Sequence, residues 1–126
     1  MIIEHVALWV QDLEGMMRFY AETLGGSSGG LYENPETGFR SYFVSFGDGA
    51  RLELMSQEEL GPAPAVACLG YAHLAFSLGT RDAVDSAVSE LRRRGAAVAS
   101  EPRLTGDGYY EAAVLDPEGN RIELMA

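Results

Sequence analysis

Hydrophobic and polar residues alternate with a period of two along much of the chain, a pattern typical of half-buried strands. In residues 2–10, for example, Val6, Leu8 and Val10 alternate with His5, Ala7 and Trp9. The pattern predicts strands at 2–10, 39–46, 50–56, 71–78, 109–115 and 120–126, with shorter strands around 29–33 and 96–100. Turn residues between neighbouring strands predict a hairpin in each half of the chain.

Two other stretches, 12–24 and 81–94, carry their apolar residues at helical spacing. Asp12 is suited to cap the first helix, because a short acidic side chain can accept a hydrogen bond from the exposed backbone N–H groups. Gly25 and Gly95 follow the two stretches, as is common where helices end.

The chain contains an internal repeat. Residues 38–55 align with 108–125 at an offset of seventy, and residues 3–10 align with 71–78 at an offset of sixty-eight. Each half therefore has the order strand, helix and three strands, and the change of offset falls where a loop tolerates insertions.

The repeat predicts an α+β fold of two tandem βαβββ modules. We expect one domain over 1–126, with repeats at about 1–56 and 71–126 and a linker at 57–70. Together, the modules would form a curved eight-stranded mixed sheet, with the helices outside and a concave face within.

The two histidines of the chain, His5 and His73, occupy equivalent positions in the repeat, as do Glu53 and Glu123. Strand alternation places all four on the face opposite the aliphatic residues that pack under the helices. Taken singly, such a histidine is more often a core residue and such a glutamate a surface residue. Their repetition favours a shared metal site, because two imidazoles and two carboxylates suit a divalent transition metal.

The net charge of −10 argues against nucleic-acid and anionic-membrane partners, which require a basic surface. No apolar run approaches 18 residues, and the N-terminus lacks the features of a signal peptide. The single cysteine, Cys68, excludes an intrachain disulfide. We therefore expect a cytoplasmic protein with a small-molecule substrate.

The sequence resembles the vicinal oxygen chelate superfamily, and within it the glyoxalase I group. The motifs that carry the resemblance are "HVALWVQDLEGMMRFYAETLG" (5–25), "YENPETGFRSYFVSF" (32–46), "RLELM" (51–55), "GYAHLAFSL" (70–78) and "LDPEGNRIELM" (115–125). They cover nearly the whole chain.

The resemblance implies that His5, Glu53, His73 and Glu123 hold one divalent metal per site, either nickel, cobalt or zinc. A glutamate at position 53 separates the glyoxalase I group from dioxygenase and fosfomycin-modifying relatives, which generally lack that carboxylate. The implied reaction isomerises the hemithioacetal of a 2-oxoaldehyde and a thiol to a 2-hydroxyacyl thioester. Glu123 is our first choice for the catalytic base and Glu53 our second.

The chain departs from glutathione-dependent members at two positions. Trp9 stands where they usually carry an arginine that binds a glutathione carboxylate, and Gln57 lies near the usual asparagine. We expect the substrate to contact Trp9, Met55, Tyr109 and Tyr110. These departures leave open which thiol the protein uses. The alternatives are a different metal-dependent enzyme of the superfamily and a small-molecule-binding or resistance protein.

Members of this superfamily commonly dimerise, and in glyoxalase I each site is commonly built from both chains. The resemblance therefore implies a homodimer with two shared sites. A linker as long as 57–70 also permits both halves of one chain to close on each other.

Overall fold

A computed structural model of the chain describes residues 2–62, 70–106 and 108–126. The chain divides into two compact units, Met1–Ala63 and Pro64–Ala126, here called the first and second modules. Much of the expected linker, residues 63–69, lies outside the described residues.

Within residues 2–62, the first module has five strands and a helix. In chain order these are β1 His5–Trp9, α1 Leu13–Arg18 continued by a π-helical segment Phe19–Thr23, β2 Ser27–Ser28, β3 Tyr32–Glu33, β4 Arg40–Ser45 and β5 Arg51–Ser56. The sheet has the order β1-β5-β4-β2, with β3 also paired to β4. It is mixed, because β1 and β5 run parallel and the other pairs run antiparallel.

The second module repeats this plan. Its elements are β6 Leu74–Ser77, α2 Arg81–Arg93, β7 Val98–Leu104, β8 Tyr110–Leu115 and β9 Arg121–Met125. The sheet has the order β6-β9-β8-β7, with β6 and β9 parallel and the other pairs antiparallel. The first and last strands of each module are therefore parallel neighbours.

Each helix covers one face of its own sheet. α1 packs on β4 and β5, and α2 packs on β7, β8 and β9. The aliphatic residues on these faces, Leu52 and Leu54 in the first module and Ile122 and Leu124 in the second, are almost completely buried. Strand alternation then places Glu53 and Glu123 on the opposite face of each sheet, called below the glutamate face.

The α+β fold expected from the sequence is confirmed. Asp12 caps α1 by accepting a hydrogen bond from the Gly15 backbone N–H at 3.0 Å. The strand expected around 29–33 is instead two short strands, because Gly29 and Gly30 separate β2 from β3. The joining of both modules into one curved sheet stays a prediction. No helix among the described residues is long and apolar enough to cross a membrane.

Candidate metal site

A histidine and a glutamate lie together on the glutamate face of the first module. In the parallel register of β1 and β5, Ala7 lies opposite Glu53. His5 is two residues before Ala7 and therefore lies on the same face of the sheet. The Nε2 atom of His5 lies 3.9 Å from Oε2 of Glu53. The imidazole is 42% exposed and the carboxylate 15%, so the glutamate is the more enclosed partner.

The second module contains the equivalent pair. Ala75 lies opposite Glu123 in the parallel register of β6 and β9, and His73 immediately precedes β6. The Nε2 atom of His73 lies 3.2 Å from Oε2 of Glu123, and the two side chains are 40% and 12% exposed. Both modules therefore present the same two donor atoms, an imidazole Nε2 and a carboxylate Oε2.

The first pair has an additional carboxylate behind the histidine. Nδ1 of His5 lies 2.5 Å from Oε2 of Glu4, and Arg51 also bonds to Glu4. These contacts hold the pKa of Glu4 below its ordinary value, chiefly through the hydrogen bond with His5 and then through Arg51. A carboxylate on Nδ1 orients the ring and leaves Nε2 free to act as a ligand. The second module has Ala72 at the equivalent position.

The second pair is instead held by an arginine. Nε of Arg121 lies 3.1 Å from Oε1 of Glu123, whereas the equivalent Arg51 lies over the ring of Phe43, 4.2 Å from its centroid. The surroundings differ in two ways: Phe43 is opposite Glu53 whereas the small Ala113 is opposite Glu123, and Glu4, the partner of Arg51, is replaced by Ala72. Arg51 therefore stacks on a ring, and Arg121 lies against the glutamate.

The donor set fits a divalent transition metal. Each module contributes one imidazole and one carboxylate, and two such pairs would offset the charge of a divalent ion. Within the described residues, no group of three or more His, Cys, Asp or Glu side chains is close enough to hold a metal ion. Each module alone thus supplies half of the four-ligand set expected from the sequence.

Beside the first pair lies an aromatic cluster of Trp9, Tyr32 and Phe39. The rings of Trp9 and Phe39 meet edge to face, with centroids 6.1 Å apart, and Tyr32 lies 6.1 Å from Phe39. Trp9 is 47% exposed and Tyr32 is 55% exposed. Met55 lies directly opposite Trp9 in the register, so it shares the glutamate face.

The two tyrosines expected to contact substrate lie apart from Glu123. Tyr110 points to the helix side of its sheet, where its hydroxyl donates to Oδ1 of Asp85 at 2.7 Å and Arg81 lies over its ring. The hydrogen bond to Asp85 raises the pKa of Tyr110. Tyr109 is exposed just before β8, in a turn closed by Thr105. That either residue contacts the substrate stays a prediction.

Several residues around the pairs were missed in the sequence. They are Glu4, Tyr32, Phe39, Phe43, Arg51 and Arg121. Strand alternation could have placed Phe39, Phe43 and the two arginines on the glutamate face. The repeat shows that Glu4 aligns with Ala72 and Phe43 with Ala113, but the contacts that these residues make depend on the pairing of the strands.

A repeated βαβββ module, with a histidine and a glutamate side by side in each copy, defines a duplicated α+β protein with paired metal-donor groups. The chain belongs to the Glyoxalase/Bleomycin resistance protein/Dioxygenase superfamily, whose family model matches residues 2–124.

Among curated relatives, the chain is 32% identical over 130 residues to the lactoylglutathione lyase of Escherichia coli O157:H7, covering 96% of this chain and 89% of that protein. It is 31% identical over 132 residues to a probable lactoylglutathione lyase of Vibrio cholerae, covering 98% and 88%. Among solved structures, the trypanothione-dependent glyoxalase I of Leishmania major matches with a TM-score of 0.80 and 25% identity, covering 99% of this chain and 86% of that one.

Proposed function

We propose that the protein is a metal-dependent isomerase of the glyoxalase I kind. It would convert the hemithioacetal of a 2-oxoaldehyde and a thiol, methylglyoxal being the simplest such aldehyde, into a 2-hydroxyacyl thioester. The observation that carries the proposal is the recurrence of an Nε2–Oε2 pair in both modules, at 3.9 Å and 3.2 Å. The relatives named lactoylglutathione lyase support the reaction class.

In this proposal His5, Glu53, His73 and Glu123 hold nickel, cobalt or zinc. The metal would supply Lewis-acid stabilisation of the negative charge that develops on the substrate oxygens. Glu4 keeps the His5 imidazole oriented through Nδ1, so that Nε2 is directed towards Glu53. The complete set requires both pairs, and we propose that it forms in a homodimer with two shared sites.

The chain's own chemistry is the movement of one proton. A glutamate takes the proton from the carbon that bears the sulfur and returns it to the neighbouring carbon, while the proton of the hydroxyl group passes to the former carbonyl oxygen; the products are a thioester and an alcohol in one molecule. We assign this role first to Glu123, because Arg121 fixes its Oε1 atom and leaves Oε2 as the acceptor. Glu53 is the second choice, since Arg51 bonds to Glu4 and the Nε2 atom of His5 lies 3.9 Å from the Glu53 carboxylate.

Metal analysis beside turnover tests the proposal. We expect wild-type protein loaded separately with nickel, cobalt or zinc to retain metal after desalting and to isomerise a hemithioacetal. The double variant Glu53→Gln, Glu123→Gln should lose both properties. Glu33→Gln, which changes an exposed strand glutamate, is the matched control and should keep both. Failure of wild-type protein to retain any of these metals would overturn the proposal.

The single variants test the assignment of the base. If Glu123 is the base, Glu123→Gln should lower turnover about a hundredfold or more, the ordinary contribution of a positioned acid–base group. Glu53→Gln should reduce metal retention with a smaller effect on turnover by the remaining loaded protein. The reverse pattern would reassign the base to Glu53.

The aromatic cluster of the first module favours a second candidate function, the binding of a small planar molecule without chemistry. Trp9 and Tyr32 present large exposed ring surfaces, which suit stacking against such a ligand. Ligand binding by metal-free protein, without turnover in any metal-loaded form, would favour this candidate. Metal retention without hemithioacetal turnover would favour another metal-dependent reaction of the superfamily.

A further inference from the structure

The charged groups on the glutamate faces bear on which thiol the protein can use. All nine cationic side chains of the chain are arginines, and all nine lie among the described residues. Six of them lie away from the glutamate faces, either on or beside the helices or, for Arg40, bonded to Glu14 of α1. The glutamate faces carry the other three, Arg51, Arg103 and Arg121.

Each of these three arginines already has a carboxylate partner in its own module. Arg51 bonds to Glu4, Nη1 of Arg103 lies 3.5 Å from Oε1 of Glu111, and Nε of Arg121 lies 3.1 Å from Oε1 of Glu123. A ligand carboxylate would have to use the remaining N–H groups of an arginine whose charge the internal partner already offsets. It would also approach a chain of net charge −10, where like charge opposes its binding.

The aromatic cluster offers the opposite kind of surface. Trp9 and Tyr32 are exposed, and Phe39, which contacts both rings, is partly buried. Trp9 pairs with Met55, two residues beyond Glu53, so the cluster begins roughly 7 Å along the strand from that glutamate. A group attached to the reacting carbon through sulfur could therefore reach the cluster while the aldehyde-derived end lies at Glu53.

We propose that the aromatic cluster binds the thiol part of the substrate, and that this thiol carries no free carboxylate. An uncharged group would stack on the rings, and a cationic group would gain a cation–π interaction with Trp9. The identification of the ligand as a thiol rests on the proposed function, whereas the preference for a ligand without carboxylates rests on the arginine partners and the cluster.

The binding test uses one pair of probes, S-hexylglutathione and its diethyl ester, which have the same skeleton and differ in two carboxylates. Trp9 is the only tryptophan, so its fluorescence reports on the cluster alone. We expect the diester to change Trp9 emission with a Kd at least about tenfold lower than that of the free acid, a difference of about 1.4 kcal/mol. Phe39→Leu, which removes a ring and keeps an apolar side chain, should weaken diester binding about tenfold, whereas Glu33→Gln should leave it unchanged.

Turnover of methylglyoxal hemithioacetals made with glutathione and with glutathione diethyl ester separates the two proposals. Faster turnover of the diester supports both. Faster turnover of glutathione overturns the inference and keeps the proposed function. Tight diester binding without turnover of either thiol overturns the proposed function and keeps the binding preference. If Trp9 emission changed with protein concentration but not on addition of either probe, the cluster would be a contact between copies of the chain. That result would overturn the inference.

Discussion

Replacing Asp116 with alanine should destabilise the second module substantially. Asp116 lies at the start of the turn between β8 and β9 and is only 5% exposed. Its Oδ1 atom accepts hydrogen bonds from the backbone N–H groups of Glu118 and Asn120, at 3.0 and 2.8 Å, and its Oδ2 accepts from the Asn120 side chain at 2.9 Å. One enclosed carboxylate therefore adds side-chain hydrogen bonds to the two backbone bonds that close the turn.

The magnitude follows from these contacts. A hydrogen bond to a charged group contributes about 1.5–3 kcal/mol to stability. The energies of these three hydrogen bonds will not add fully. Pro117 and Gly119 are exposed, so water can bond to some of the groups that lose their partner in the variant. We expect the free energy of unfolding to fall by about 3 kcal/mol, the upper value for a single charged bond. In a chain of this length that corresponds to a fall in Tm of about 10 °C.

Urea unfolding followed by circular dichroism measures the change. Asp116→Asn keeps an acceptor oxygen for the two backbone N–H groups and should lose only about 1 kcal/mol. Asp48→Ala removes an exposed aspartate from the hairpin turn of the first module and should change stability by less than about 0.5 kcal/mol. If Asp116→Ala and Asp48→Ala had equal effects, the carboxylate would not hold the turn, and its proline and glycine alone would suffice.

Two further predictions concern packing and pH. A Cβ atom on Gly26 would lie 2.5 Å from Val44 Cγ1 and 2.9 Å from the Tyr20 carbonyl oxygen, so Gly26→Ala should lower the free energy of unfolding by about 1–3 kcal/mol. Gly30→Ala should not lower it, because nothing lies within 4 Å of a Cβ atom there. Equal urea midpoints for the two variants would refute this prediction. Hydrogen bonds from two arginines at the end of α2 lower the pKa of Glu90 to about 2. The stability that Glu90 contributes is therefore present above about pH 4.5 and lost as the pH falls towards 2. The difference in thermal midpoint between wild type and Glu90→Gln should shrink over that range. A difference that stays constant with pH would contradict this prediction.

The sequence predicts the fold well because the repeat imposes two independent constraints on the same plan. Strand alternation assigns Leu52 and Ile122 to the helix side and Glu53 and Glu123 to the other, and burial in the structure follows that division. The start of the first helix at Asp12 can also be predicted from the sequence, because the Asp12 side chain accepts a hydrogen bond from a backbone N–H of the first turn. These features depend on neighbours in sequence or on a periodic pattern.

Features that depend on the register between strands were harder to predict from the sequence. Tyr109 and Tyr110 are adjacent, and only the register of β8 against β9 shows that Tyr110 shares the side of Ile122 and Leu124. Its hydroxyl then reaches Asp85 on α2, a contact 25 residues away in sequence that no local pattern indicates. The division of the strand around 29–33 likewise depends on how Ser28 and Tyr32 each pair with β4.

The two modules differ at two positions of the repeat around their glutamates, Phe43 against Ala113 and Glu4 against Ala72. Phe43 and Ala113 are equivalent, and each lies opposite the glutamate of its module. In the first module the ring holds Arg51 away from Glu53 and towards Glu4, which in turn orients His5. In the second module no such ring is present, and Arg121 lies on Glu123. These two differences leave Glu53 beside an aromatic ring and Glu123 in contact with an arginine. Under the two proposals made above, the first copy would bind the thiol and the second would move the proton.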